Sequence, residues 1–241
     1  MNYIKYSSSS YKWALRLQSQ VNNYSIPDQT EGKVIALFNN FAWSSYLGIQ
    51  NVQFQNWNLM PFTGIDYGEI NPSIIENDLQ FTDKIRSTGL FSGFAFEFDD
   101  RSSQFFTKKG KRLYGYSLYR YGLVENVIQD GENYSLDVEN SYLQVYISYE
   151  QFFPVSNKST VSGAVELLYT NASSIGFTDV HFVGGFNPLF INSASFVGIS
   201  AYSYGLNSYF LSEIAYQYEL VPKLYVTAEA NYITSRNPIK P

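Results

Sequence analysis

The sequence contains no cysteine and only one histidine, His181. Structural disulfides, cysteine nucleophiles and thiolate metal ligands are excluded, and a multi-histidine metal site is excluded with them. Charge is scarce: Asp, Glu, Lys and Arg make up 15% of the 241 residues, against about 25% in an ordinary soluble domain. The formal net charge is −5, and no basic run exceeds the KKGKR of residues 108–112, so the footprint of a nucleic-acid partner is missing. No apolar stretch approaches the roughly 18 residues of a transmembrane helix; the longest plain one runs from Val34 to Phe38. The opening MNYIKYSSSSYKWALRLQSQ lacks the apolar core of a secretory signal, and the chain is expected to be a piece of a longer protein.

Catalytic signatures are also missing. A nucleophile elbow needs G-x-S-x-G, and the nearest fragments, GLFSG (89–93) and GISAY (198–202), do not match. The G-x-x-x-x-G-K-[ST] phosphate loop does not occur. His181, in TDVHFVGG, reads as a structural histidine rather than a general base. No catalytic residue, metal ligand or cofactor is assigned, and no enzymatic activity is expected of this chain; an upstream hydrolase domain would lie outside it.

What is present is aromatic and alternating. The chain is 45% hydrophobic and 18% aromatic, with 22 Tyr and 19 Phe but 3 Trp. Tyr and Phe favour strands, and Tyr suits a boundary between apolar and wet surroundings. Helical periodicity is nearly absent. Instead, Phe94, Phe96 and Phe98 alternate with Gly93, Ala95 and Glu97. Leu143, Val145, Ile147 and Tyr149 alternate with Gln144, Tyr146, Ser148 and Glu150. Val161, Val165, Leu167 and Tyr169 alternate with Ser162, Ala164, Glu166 and Leu168. Ile214, Tyr216 and Tyr218 oppose Glu213, Ala215 and Gln217, and Leu224, Val226 and Tyr232 oppose Tyr225, Thr227, Glu229 and Asn231. Period two is the signature of strands whose faces meet different surroundings.

Roughly ten to twelve strands follow, most near the ~9–11 residues that cross a bilayer at a tilt. Residues 48–80, with Pro61 and Pro72, read as short strands and a long loop. Short turns (FPVSNKS, ELVPK) alternate with longer polar loops such as 124–140, the habit of outer-membrane barrels. A soluble sandwich would turn the apolar faces inward; low charge and long strands favour a membrane barrel. The phenylalanines at 94, 96 and 98 are then expected to face lipid. Glu97, Glu166, Glu213 and Glu229 are expected to face the lumen, opposite Arg or Lys rather than as an acid–base pair.

The segment FEFDDRSSQFFTKKGKRL (96–113) resembles the strand–turn–strand of the BamA/TamA superfamily of outer-membrane barrels. In that reading Asp99, Asp100 and Arg101 mark the exit from the bilayer, Phe105 and Phe106 sit at the interface, and Gly110 allows the turn back. SYEQFFPVSNKSTVSGAVELLYTN (148–171) is similar to a later hairpin of the family, and residues 181–232 to its late-barrel region, with Gly184, Gly185, Phe196 and Gly198 as motif positions. Within the superfamily the segment is most similar to barrels fused to patatin-like phospholipases. GGFNPLFINSASF lacks the Arg-Gly-Phe-type loop tip of the assembly factors, and neither a patatin half nor periplasmic modules are seen.

The resemblance implies an all-β, antiparallel transmembrane β-barrel over residues 1–241, part of a barrel of about 16 strands that is incomplete at its carboxyl end. It implies a bacterial outer-membrane location, lipid as surroundings, and periplasmic or surface proteins as partners. The function implied is anchoring or serving a patatin-like module, or lipid or protein translocation. A BamA/TamA-like assembly factor and a soluble β-fold binding module are the rivals.

Overall fold

A computed structural model of the chain describes residues 12–27, 34–50, 57–75, 84–103, 106–129, 131–176, 179–183, 193–194, 196, 204–222, 224–236 and 238–239. The elements are β1 (Lys12–Pro27), β2 (Val34–Gln50), β3 (Trp57–Ile75), β4 (Lys84–Asp99), β5 (Gly110–Gln129), β6 (Glu132–Ser135), β7 (Tyr142–Pro154) and β8 (Ser159–Thr170). They continue with β9 (His181–Val183), β10 (Ser193–Ala194), β11 (Tyr204–Leu206), β12 (Tyr209–Val221), β13 (Leu224–Ser235) and β14 (Pro238–Ile239). The main sheet runs β1-β2-β3-β4-β5-β7-β8-β12-β13, with β6 folded back on β5. Each neighbouring pair along it is antiparallel. A small second sheet, β10-β9-β11-β14, gathers pieces of the 171–208 loop and the residues after β13. Among the described residues no ladder joins β13 to β1, so the sheet has two edges.

Its nine long strands measure 12 to 20 residues, more than a bilayer crossing requires. Two expectations about them are corrected. The first concerns residues 57–75, which form one strand rather than short strands and a loop. Pro61 is tolerated because the β2–β3 ladder ends at the Gly48–Phe62 pair, leaving the Pro61 nitrogen without a required partner on that side. Pro72 falls at a register shift opposite Leu37 and Phe38. The second concerns the 124–140 loop, whose first part continues β5 to Gln129 and returns as β6. The Thr88–Leu90 shift that lets β5 continue places Gly122, at φ +65°, as an extra residue.

Register assigns the two faces. The inner face of β4 carries Ser87, Gly89, Phe91 and Ala95, all buried, and Glu97 shares their parity. Phe94, Phe96 and Phe98 lie on the opposite, outer face, where Leu90 is 42% and Phe94 41% exposed. The outer faces of β8, β12 and β13 add exposed Val165, Leu167, Tyr169, Ile214, Tyr216, Val226 and Tyr232. Exposed apolar side chains thus recur along the outer parity of the described strands. Aromatic rings cluster at the lower border of that face: Trp57 and Phe98 lie 5.1 Å apart, with Lys111 Nζ 5.4 Å over the Phe98 ring.

The inner face is covered by the chain itself. Leu168, Val183, Leu206, Tyr209 and Leu211 form one buried cluster, and Leu123, Tyr142, Ala172, Ile175 and Val180 another. Each joins inner-face residues to the loop after β8, so the loop folds into the sheet rather than away from it. Full burial of such side chains is worth about 1.5–3 kcal/mol each.

Candidate functional site

The loop is held by an ionic clamp. Arg120 is an inner-face residue of β5, opposite Phe91 on β4 and Tyr142 on β7. Its guanidinium lies 5.6 Å from the Phe91 ring centroid, in space that exists because residue 89 has no side chain: a Cβ there would stand 2.8 Å from Arg120 Nη1. Arg120 Nη1 donates to Asp66 Oδ1 of β3 at 2.7 Å, and Nη2 donates to Asp179 of the loop. The Tyr142 hydroxyl donates to the second oxygen of Asp179. All four side chains are buried. One cation therefore bridges a wall carboxylate and a loop carboxylate, out of water, where losing one partner costs far more than at a surface.

A second contact lies two residues further along the loop. The Tyr116 hydroxyl donates to Gln144 Oε1 at 3.1 Å, which leaves its oxygen to accept from His181 Nε2, 3.1 Å away. Gln144 Nε2 in turn donates to the Asp179 carbonyl at 3.2 Å. Nδ1 of His181 is then a buried lone pair with no partner among the described residues. Burial pulls the imidazole pKa down to about 3, so the ring is neutral at physiological pH. The contact ties the loop to β5 and β7.

Other expected positions fall elsewhere. Arg101 grips Asp99 in a fork, Nε to Oδ1 at 3.0 Å and Nη2 to Oδ2 at 2.7 Å, and reaches Glu150 at 3.6 Å. Asp100 is exposed and ties the turn by accepting from the Lys111 amide. Gly110 has φ +108°, and a Cβ there would lie 2.6 Å from the Asp100 carbonyl oxygen, so only glycine fits this turn. Phe106, expected at the interface, is 43% exposed. It stacks on Tyr225, an inner-parity residue of β13, at 4.1 Å and 14°. Lys108 reaches the same side, donating to the Asn157 carbonyl at 2.8 Å and to Glu219 at 3.3 Å. Phe106 and Lys108 thus both contact the turn end of β12 and β13. Phe196 packs half-buried against the Leu168–Val183 cluster. Phe105, Gly184, Gly185 and Gly198 lie outside the described residues.

The four glutamates all have inner parity, with different partners. Arg112 donates to Glu97 from Nε and Nη2 at 3.0 Å, while Glu166 accepts from Tyr209 at 3.3 Å. Glu213 and Glu229, expected opposite Arg or Lys, have no ion pair among the described residues. Asp66, Arg120, Tyr142 and Asp179 went unnoticed in the sequence. The available signal was Arg120 itself, the one cation within the aromatic run LYGYSLYRY (113–121).

Comparison with known proteins gives the class. The structure is similar to CdiB from Acinetobacter baumannii, with a TM-score of 0.51 at 12% identity, over 95% of this chain and 38% of that one. The likeness is one of fold, an all-β antiparallel sheet of long strands, and the chain spans well under half the length of the CdiB chain. No family model and no curated protein matches the sequence.

Proposed function

We propose that the chain is a transmembrane β-barrel segment of the bacterial outer membrane working in translocation or assembly, with residues 171–176 and 179–183 after β8 as a plug clamped inside its lumen. The observation that carries this reading is the Arg120 clamp, which fastens a long loop to the inner face of a sheet whose outer face is apolar. The likeness to CdiB supports the outer-membrane setting. A passage blocked by a loop opens only if the loop moves, and a single buried cation between two carboxylates is an all-or-none fastening suited to that. The surroundings proposed are outer-membrane lipid on the outer face and a periplasmic or surface protein as partner. Service to a patatin-like phospholipase module rests on sequence resemblance alone, and no feature of the fold favours it. The chain itself is proposed to be catalytically silent.

The absence of cysteine makes a direct test simple. Leu123→Cys on the wall and Ile175→Cys on the loop place thiols within one buried cluster. In protein recovered from the outer-membrane fraction, joining them should hold conductance in planar bilayers closed, and reduction should restore openings. Recovery in the soluble fraction, or openings indifferent to the cross-link, would overturn the proposal. Acyl-ester hydrolysis should stay at background in the same preparation; turnover abolished by changing one serine would overturn the silence.

A further inference from the structure

The outer face carries an ionic cluster unrelated to the clamp. β3 and β4 pair Glu69 with Arg86 on the outward parity of Ile65, Leu90 and Phe94. Lys84 Nζ lies 2.8 Å from Glu69 Oε1, and Arg86 Nε donates to Oε2 at 3.0 Å. The Tyr67 hydroxyl donates to Oε2 at 2.7 Å and Asn71 Nδ2 to Oε1 at 3.0 Å. Four donors converge on one carboxylate, so two cations share one anion and the cluster keeps a charge of +1 among the described residues. The Arg86 side chain is 47% exposed.

Its height along the sheet matters. Twelve residues separate Arg86 from Phe98 of the lower aromatic border. At ~3.3 Å per residue and a tilt of about 40° this is roughly 30 Å, just above an apolar band ~25 Å tall. Directly beneath stand exposed Leu90 and Ile65. The end concerned bears the 124–140 connection and the end of β8, opposite the short 155–158 turn, and long connections mark the extracellular rim of an outer-membrane barrel. Cations at the top of an apolar band meet the phosphate of a lipid whose acyl chains lie along that band.

We propose that Lys84 and Arg86, held apart by Glu69, dock the phosphate of an anionic lipid headgroup in the outer leaflet. The proposal rests on the outer-membrane reading. Glu69 positions the cations and cancels one charge, while Tyr67 and Asn71 donate to the same carboxylate and hold it in place.

The test measures retention of diphosphoryl lipid A by the protein in phosphatidylcholine vesicles doped with it. Heat-modifiable migration on gels reports insertion of each variant. Arg86→Gln and Lys84→Gln should each weaken retention about fivefold, and Glu69→Gln should strengthen it by a similar factor. A merely structural cluster would lose retention, or leave it unchanged, in all three variants, and either result in inserted protein overturns the site. Displacement of the lipid by equimolar inorganic phosphate would make this a free-anion site and overturn the lipid assignment. Failure of the unmodified protein to insert would sink the outer-membrane reading itself, and this site with it.

Discussion

The two halves of the inner face use charge differently. On β3, β4 and β5 the carboxylates Asp66, Glu97 and Asp99 are each paired with an arginine: Arg120, Arg112 and Arg101. On β8, β12 and β13 the inner-face carboxylates Glu166, Glu213 and Glu229 have no cation among the described residues, and a tyrosine hydroxyl is the partner shown for Glu166; Glu219, at the turn end of β12, meets Lys108. The paired half fastens the loop. Between the carboxylates of the acidic half stand small side chains, Ser162, Ala164 and Ala215. Fixed geometry goes with arginine, because a guanidinium fork sets direction as well as charge.

The sharpest way to break the comparison is to remove Arg120. Arg120→Met leaves Asp66 and Asp179 buried without their cation and should cost about 3–5 kcal/mol. Proteolysis of the 171–183 segment, alongside thermal unfolding, would read this. Adding Asp66→Asn and Asp179→Asn should recover part of the loss; no recovery would show that packing rather than charge holds the loop.

Next comes depth on the outer face. Phe94→Arg, in the middle of the apolar band, should cost about 2–4 kcal/mol, and Phe98→Arg, at its aromatic border, about 0–1. Equal costs in denaturant unfolding from vesicles would contradict the assignment of the band.

Acid should loosen the clamped half through His181. Its pKa is about 3 when docked, against roughly 6.5 for a free imidazole. Between those values the undocked loop binds a proton that the docked loop does not, so docking weakens as pH falls below about 6.5. The limiting slope is ~1.4 kcal/mol per pH unit. Protease accessibility of the loop, compared between wild type and His181→Gln from pH 7 to 5, isolates this contribution; identical profiles would remove it. The smallest effect belongs to the acidic half. Glu213→Gln and Glu229→Gln should each change thermal stability by less than about 1 kcal/mol, and a large loss would reveal a cation partner for these carboxylates.

Much of this comparison was legible without coordinates. Phe94, Phe96, Phe98 and Glu97 could be divided between two faces because strand parity is local: each residue's side is set by its neighbour's. The same holds for the runs at 143–150, 161–169 and 224–232. Proline misled at residues 57–75, since Pro61 and Pro72 look like strand breakers until the end of one ladder and a register shift are known to receive them. The partner of Phe106 was not legible: its stacking on Tyr225 joins positions far apart in the chain.

By itself, the amino-acid sequence determined that the chain forms long antiparallel strands with one apolar and one polar face, because alternation acts over two residues and needs no partner. The tertiary structure alone decided what the polar face does. Arg120 meets Asp66 across 54 residues of chain and Asp179 across 59. Contacts that distant leave no periodic trace: they depend on strand register, on the empty volume at Gly89 and on the fold of a loop, which exist only once the sheet has formed.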